Sequence, residues 1–204
     1  MWPIRLKGDY MKKYLPLLIV PLMMGLTHCG RQYAKGEYVD PNMVVLRSDK
    51  FVEADLQQIA KRLADSLTAS AAASGNPTAI LSAMTNETDE HIDMNALTDK
   101  IQVLLAKSGT LRLVNAKMRP AVAEEYNYEA SGFVDPATAK KKGKQLGAQY
   151  LISGRIASIK QPVGRQEYVY YKAMLEMTDI TTNIIAWTDD VEIKKHFRKK
   201  FTGF

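Results

Sequence analysis

The segment YVYYKAMLEMT, residues 168–178, is the stretch that decides the fold. Its apolar residues recur at every second position, which is the period of a β-strand with one buried face. Tyr168 and Tyr170 then point away from the core, and outward tyrosines are good anchors for an interface. Covering of the sheet by a second layer is the alternative role of this pair. The predicted buried residues are Val169, Tyr171, Ala173, Leu175 and Met177.

A second strand follows after a short turn at residues 179–183, and it is predicted to span residues 184–193. A turn of this length joins antiparallel neighbours, because a parallel pair needs a long crossover. The end of the chain is therefore predicted to be an antiparallel hairpin. Its second strand is predicted to place Ile185, Trp187 and Val191 on one face.

Upstream of the hairpin, apolar residues at helical spacing predict a first helix that begins near Asp49 or Lys50. A second helix is predicted from Met94 or Asn95 to a glycine cap at Gly109. The first helix is predicted to bury Val52, Leu56, Ile59, Ala60, Leu63 and Leu67. The second is predicted to bury Leu97, Ile101, Leu104 and Leu105.

The remaining segments complete an alternation of helices and strands. A helix is predicted over 120–128, and another from Asp135-Pro136 to Gly147, because a carboxylate before a proline is typical of a helix start. Strands are predicted over 78–85, 111–115 and 148–159, with a polar acidic loop over 86–93. This order predicts the α+β class, with a single mixed β-sheet of about four to five strands, helices packed mainly on one face, and the C-terminal antiparallel hairpin.

The N-terminal residues have the layout of a targeting segment. Lys12-Lys13 precede an apolar run over 14–26 that holds 13 residues and two prolines. A membrane-spanning helix needs about 20 apolar residues, so this run is too short and too broken to span. We predict a signal peptide over 1–28, with translation starting at Met11, and a short tether over 29–48 that precedes the domain over 49–204.

The end of that run, Leu26-Thr27-His28-Cys29, resembles a bacterial lipobox. The resemblance implies cleavage before Cys29 and its lipidation, and several acyl chains make a stable anchor. Gly30 stands where an inner-membrane retention signal would usually be aspartate, which implies an outer-membrane lipoprotein that faces the periplasm.

The net charge of +6 is concentrated at the chain ends. Residues 1–28 hold four of the 28 basic residues and one of the 22 acidic ones, so the mature chain has 24 and 21. Five of those basic residues form a predicted C-terminal tail, which either contacts anionic lipid or cell wall or is frayed. The excess of basic residues lies in this tail and does not form a stripe on the domain, so the composition does not indicate nucleic-acid binding. The tail residues are Lys194, Lys195, Arg198, Lys199 and Lys200.

The sequence contains few of the residues that commonly act in nucleophilic catalysis. The mature chain has one cysteine, Cys29, and two histidines, His91 and His196, whereas nucleophile–base pairs need such residues together. No phosphate-binding, dinucleotide-binding or nucleophile-elbow motif is present, and no carboxylate spacing indicates a glycosidase. We predict a protein that is not an enzyme, with no catalytic, cofactor-binding or metal-binding residues.

Three segments together carry a family resemblance. They are AILSAMTNET at 79–88, IQVLLAKSGTLRLV at 101–114, and GAQYLISGRI at 147–156 followed by NIIAW at 183–187. The chain resembles the penicillin-binding-protein activator lipoproteins of the LpoB type over about 49–193. It is more distantly similar to the curli-secretion lipoprotein and to the N-terminal domain of the Tol translocation protein.

The resemblance implies a non-catalytic outer-membrane lipoprotein that passes through peptidoglycan, docks on a class A penicillin-binding protein and activates this peptidoglycan synthase. A non-catalytic assembly lipoprotein of an envelope or secretion complex is the alternative. The tether departs from the long proline-rich one of enterobacterial members, because residues 30–48 reach only about 65 Å when extended. Candidate partner-binding residues are Tyr168 and Tyr170, with Lys140 and Lys144 of a lysine cluster that is otherwise a solvated helix face.

The Cys29→Ala variant tests the anchor. Without a thiol to lipidate, the mature protein should fractionate with the contents of the periplasm instead of the membranes. Fractionation followed by mass spectrometry of the wild-type chain measures this, with Ser48→Ala as a variant that should keep the wild-type distribution. Membrane residence of the Cys29→Ala variant would contradict lipidation.

Overall fold

The computed structural model describes residues 38–40, 43–44 and 48–198. The chain divides into two units, 1–40 and 41–204. Of the first unit only residues 38–40 are described, and they are exposed and without regular structure. In the described ranges no helix is both long and apolar enough to cross a bilayer. The predicted signal peptide and Cys29 lie outside these ranges.

The first helix, α1, spans Glu53–Ala69 and begins later than predicted. Four residues of the predicted apolar stripe are buried, whereas Leu56 and Val52, which precedes the helix, are half-buried. Its first turn is stabilised by Asp55, whose Oδ2 accepts a hydrogen bond from the backbone N–H of Val52 at 2.8 Å. The helix ends at Ser70, which forms the C-cap. Its buried apolar residues are Ile59, Ala60, Leu63, Ala64 and Leu67.

The second helix, α2, spans Met94–Ser108, as predicted. Asp93 caps its start by accepting a hydrogen bond from the backbone N–H of Ala96 at 3.0 Å. Gly109 ends it with a φ of +68°, a left-handed conformation that glycine adopts without strain. The third helix, α3, spans Arg119–Glu129 and buries none of its residues.

Six strands form one mixed sheet, which confirms the predicted fold class with more strands than expected. They are β1 Thr78–Leu81, β2 Thr85–Glu87, β3 Arg112–Leu113, β4 Tyr150–Val163, β5 Gln166–Asp179 and β6 Ile185–Arg198. The order is β3-β1-β4-β5-β6, and β2 also pairs with β4. The pairs β1–β3, β1–β4 and β2–β4 are parallel, whereas β4–β5 and β5–β6 are antiparallel, as the predicted hairpin requires.

The core lies between α1, α2 and one face of the sheet, which we call the inner face. The alternation predicted for residues 168–178 is confirmed, because all five of its apolar positions are fully buried. Ile152 and Ile156 of β4 extend the same face. The elements from α1 to β6 therefore bury a continuous core of their own.

Gly154 shows how closely the core packs at the centre of β4. A Cβ at this position would stand 2.5 Å from the backbone oxygen of Met174 and 3.0 Å from Cε of Met84. Met84 is itself buried, between β1 and β2. The prediction of one strand over 78–85 and a loop over 86–93 is therefore wrong in detail. The chain leaves the sheet after Leu81 and returns to β4 at Thr85.

The helix predicted from Asp135 to Gly147 is absent, and this segment has no regular structure beyond turns. Asp135 makes a local cap, since its Oδ1 accepts a hydrogen bond from the N–H of Ala137 at 2.9 Å. The segment that follows offers four lysines and no apolar stripe. A short helix without a face to bury is marginal in water, so the start signal alone does not sustain it.

The final strand differs from its prediction at both ends. Near its start the register shifts by one residue, so that Ile185 pairs with Thr178 and stays exposed, away from the core face predicted for it. At its end the strand continues to Arg198. The predicted tail is therefore wrong for residues 194–198, which pair with β5, and Lys199 and Lys200 lie outside the described residues.

Lys195 forms a buried ion pair with Asp55. The ammonium group contacts the Asp55 carboxylate and lies 2.8 Å from the backbone oxygen of Lys50. The two side chains are 4% and 6% exposed. The pair joins the start of α1 to the end of β6, two elements that are far apart in sequence.

Removing one member of this pair should destabilise the fold strongly. Lys195→Met should lower the free energy of unfolding by about 3–5 kcal/mol, because it leaves the Asp55 carboxylate buried and unpaired. The double variant Asp55→Leu/Lys195→Met should recover most of that loss, apart from about 1 kcal/mol for the lost cap. Urea denaturation of residues 30–204 measures both values.

The exposed pair of Lys61 and Asp65 on α1 is the matched control. Its side chains are 70% and 62% exposed, so Lys61→Met should cost less than about 1 kcal/mol. The single variant Asp55→Leu completes the comparison. If the double variant lost the sum of the unfolding free energies that the two single variants lose, the two groups would not be coupled and the expectation would be wrong.

Candidate functional site

The face of β4, β5 and β6 opposite the core is the candidate interaction surface, and we call it the outer face. Strand alternation and the observed register define it. Its side chains are half-buried or exposed, whereas those of the inner face are mostly buried. In order along each strand it comprises Leu151, Ser153, Arg155, Ala157, Ile159 and Gln161, then Tyr168, Tyr170, Lys172, Met174, Glu176 and Thr178, then Thr188, Asp190, Glu192, Lys194, His196 and Arg198.

An aromatic and basic group lies at one end of the outer face. The rings of Tyr168 and His196 stack, with centroids 4.6 Å apart and planes inclined by 20°. The Lys194 ammonium lies 5.6 Å from the centre of the Tyr168 ring, within the range of a cation–π interaction. Gln166 accepts a hydrogen bond from the Tyr168 hydroxyl at 3.1 Å. These contacts hold a planar surface beside positive charge.

Tyr170 lies next to this group, and its neighbours are acidic. Its hydroxyl donates a hydrogen bond to Glu192 Oε1 at 2.6 Å. The hydrogen bond to this carboxylate, reinforced by the charge of Asp190, raises the pKa of Tyr170 to about 12. The Lys172 ammonium lies 3.3 Å from Asp190 and 3.8 Å from Glu192. Tyr170 is therefore a neutral hydrogen-bond donor held in one orientation at physiological pH.

The structure brings two of the four predicted partner-binding residues together. Tyr168 and Tyr170 lie side by side on the outer face, half-buried instead of fully exposed. Lys140 and Lys144 lie elsewhere, exposed in the irregular segment after α3, where the backbone N–H of Lys140 donates to Glu129 Oε2 at 2.8 Å. No contact in the described part of the chain links either lysine to the tyrosines.

Three residues of this surface, Glu192, Lys194 and His196, were missed by the sequence analysis because they were assigned to a strand end or a tail. A signal for them exists in the sequence. The alternation of the last strand continues past residue 193, with Ile193, Lys195 and Phe197 on one face. The lysine-rich composition concealed that period.

A cleft of about 380 Å³ lies beside α3. Its walls include Leu113, Val122 and Leu146, and two arginines, Arg112 and Arg119, lie among its lining residues. The described lining contains no acidic residue, histidine or cysteine, so it offers no nucleophile–base pair. His91 is exposed in the loop before α2. In the described ranges no group of three or more potential metal ligands is found.

A group of titratable residues around Glu90 has a structural role. Glu90 accepts hydrogen bonds from the Tyr171 hydroxyl at 3.0 Å and from the Phe51 N–H at 2.9 Å. The Lys160 ammonium lies 2.9 Å from Glu90 and 2.9 Å from Asp89. Phe51 also packs edge-on against the Tyr171 ring, with centroids 5.5 Å apart. Lys160 bridges the two carboxylates, and the hydrogen bonds of Glu90 join the segment before α1 to β5, so this group stabilises the fold.

The pKa values follow from these contacts. Burial opposes ionisation of Glu90, but the hydrogen bonds from Phe51, Lys160 and Tyr171 outweigh it, so the Glu90 pKa lies below its ordinary value. Hydrogen bonds to Asp89 and Glu90 raise the pKa of Lys160. Burial, together with the hydrogen bond to Glu90, raises the pKa of Tyr171. The group is therefore fully formed at neutral pH.

Residues 55–193, from the first turn of α1 to the middle of β6, match the family model described as peptidoglycan-synthase activator LpoB. The chain belongs to the LpoB family. The resemblance stated from the sequence is thereby confirmed. No curated protein sequence matches the chain at a significant level.

Solved structures of the LpoB family are among the structural matches. The LpoB C-terminal domains from Salmonella enterica and Escherichia coli each align over 69% of this chain and 99% of their own length, with 13% identity and a TM-score of 0.43. Lipoprotein GNA1162 from Neisseria meningitidis aligns over 62% of this chain and 88% of its own, with 11% identity and a TM-score of 0.38.

The LpoB family consists of envelope lipoproteins that act on peptidoglycan synthases as non-catalytic regulators. A regulator of this kind needs a surface that binds its partner. The outer face combines aromatic rings, both signs of charge and exposed apolar side chains such as Ile159.

The Glu90→Gln variant should change how stability depends on pH. The folded pKa of Glu90 is lowered, so its contribution is present above the unfolded pKa and is lost as pH falls through the folded value. At about pH 7 the variant should lose about 1–2 kcal/mol of unfolding free energy, and the difference from wild type should shrink between about pH 5 and pH 3. Urea denaturation at several pH values measures it.

Glu124→Gln, which removes an exposed carboxylate of α3, is the matched control and should follow the wild-type pH dependence. A constant difference between Glu90→Gln and wild type across this pH range would show that the Glu90 charge does not stabilise the folded state.

Proposed function

We propose that this LpoB family protein is a lipid-anchored outer-membrane lipoprotein that docks on a class A penicillin-binding protein and raises its synthase activity. The observation that carries the proposal is the family match over 55–193, which includes almost all of the sheet and both core helices. Cys29 is the proposed lipidation site, residues 29–48 are the proposed tether, and the signal peptide ends at residue 28.

Activation without chemistry requires a difference in affinity. A bound regulator can raise the activity of a synthase only if it binds the active conformation more tightly than the inactive one. A rigid docking surface suits this role, because its own conformation does not have to be ordered on binding. The three long strands β4, β5 and β6 supply such a surface, each being 14 residues long.

The outer face is the proposed docking surface, with Tyr168 and Tyr170 as its anchors. Tyrosine combines apolar contact area with a hydroxyl that can find a partner, and it is enriched among residues that dominate binding energy. Lys194 and His196 surround Tyr168, whereas Glu192 and Asp190 lie beside Tyr170. A partner with the opposite order of charge would therefore be aligned in one direction.

Reconstitution with a purified class A synthase tests activation. Adding residues 30–204 should raise the rate of glycan polymerisation until the regulator saturates. The double substitution Tyr168→Ala/Tyr170→Ala should raise the concentration of regulator needed for half-maximal activation by about tenfold or more, because it truncates two anchors. Glycan chain synthesis from lipid-linked substrate measures the rate, and circular dichroism verifies the fold of each variant.

Tyr128→Ala is the matched control, because Tyr128 is 55% exposed on α3 and stacks on Phe133 away from the outer face. It should activate like wild type. Lys140→Ala/Lys144→Ala tests the second pair of predicted partner-binding residues in the same assay. A rate unchanged by saturating wild-type protein would refute activation, and unimpaired activation by the double tyrosine variant would refute this docking surface.

Recovery of bound proteins from detergent-solubilised membranes separates the two functions. A class A penicillin-binding protein should copurify with the full-length lipoprotein. Copurification of only secretion or envelope-assembly components would instead favour the assembly role, and would leave the fold and the anchor unaffected.

A further inference from the structure

Strand β6 is the edge of the sheet, and its charges are sorted by sign along its length. No strand in the described part of the chain pairs with its far side, so half of its backbone N–H and C=O groups face outward there. The first half of the strand carries the acidic residues Asp189, Asp190 and Glu192, and the second half carries the basic residues Lys194 and Arg198 with the imidazole of His196 between them. All six are exposed, whereas Lys195 is buried against Asp55.

A strand sorted in this way is complementary to a second copy of itself in the antiparallel direction. The acidic half of one strand then lies beside the basic half of the other. We propose that two copies of this chain pair through β6 about a two-fold axis at Ile193, which joins their sheets into one. The interface follows from the edge strand alone and does not depend on the proposed function.

The register follows from the alternation of side chains. Opposed residues must share a face, so the pairing can shift only in steps that keep outer-face residues opposite each other. With the axis at Ile193, Glu192 lies opposite Lys194 of the second copy and Asp190 lies opposite its His196. Moving the axis by one residue places either Glu192 opposite Glu192 or Lys194 opposite Lys194, and directly opposed like charges are destabilising.

The proposed partner strand is β6 of a second copy and not a strand of another protein. This strand itself contains both the acidic half and the basic half that the pairing requires. Charges of one sign along an edge strand would repel a second copy and so prevent association. Acidic residues in one half and basic residues in the other instead attract a strand whose charges run in the opposite order. Asp190 and Glu192 meet Lys172 within the chain, and both carboxylates also lie exposed on the edge strand. Pairing through the edge engages the outer-face side chains of β6 and leaves those of β4 and β5 open.

Sedimentation equilibrium of residues 30–204, which contain the complete core, tests the pairing. At about 50 mM salt the wild type should form dimers that weaken at about 300 mM salt, since the paired charges are exposed. Glu192→Lys places like charges opposite each other twice about the axis, and Lys194→Glu does the same with the opposite sign. Each should raise the dimer Kd by about tenfold or more.

An equimolar mixture of the Glu192→Lys and Lys194→Glu chains is the deciding measurement. In the mixed pair every lysine again faces a glutamate, so the mixture should dimerise with an affinity near that of wild type. Glu124→Lys and Lys141→Glu, which reverse exposed charges away from β6, should dimerise like wild type. Circular dichroism establishes that each variant is folded.

Three outcomes would overturn the inference. The wild type could remain a monomer up to about 100 µM at low salt, which would mean that the edge is unpaired or is kept for a different protein. The single variants could dimerise as well as wild type, which would place any interface elsewhere. The mixture could dimerise no better than either variant alone, which would exclude this register.

Discussion

The buried ion pair between Asp55 and Lys195 is the contact on which the arrangement of the helices and strands depends. It connects the first turn of α1 to the last strand, and the same ammonium lies 5.5 Å from the centre of the Tyr171 ring. Tyr171 in turn donates to Glu90, which meets Lys160 of β4. One continuous line of polar contacts therefore joins α1, β6, β5 and β4. Buried charges of this kind add little net stability, but an alternative packing of α1 would leave one of them unpaired.

This constraint separates the two faces of the sheet. On the inner face the apolar side chains pack under α1 and α2, and the buried charge of Lys195 is paired with Asp55. On the outer face the same three strands carry tyrosines, lysines and carboxylates in contact with solvent and with one another. The outer face therefore presents shape and charge to a binding partner. That property agrees with the non-catalytic character of the LpoB family.

Some elements could be predicted from the sequence because their signals are local. The period of two over 168–178 and the period of 3.6 in α1 and α2 each describe burial of one face, and burial is what stabilises such elements. The helix predicted from Asp135 failed because a start signal carries no information about packing. The strand over 78–85 divides because Met84 must pack beside Gly154, a contact that spans 70 residues of sequence. Tyr168 and Tyr170 could be placed on an outward face, but their partners could not be identified.

The amino-acid sequence by itself determined the two core helices and the main hairpin, which side of that hairpin is buried, and to which family the chain belongs. Only the tertiary structure decided that Lys195 is a core residue and not part of a basic tail. Periodic patterns show which face of a segment is buried. Whether a single charged side chain can be buried depends on whether a residue of opposite charge, distant in sequence, lies beside it in the fold. Here the partner is Asp55, 140 residues away, and its position becomes known only when α1 packs on β6.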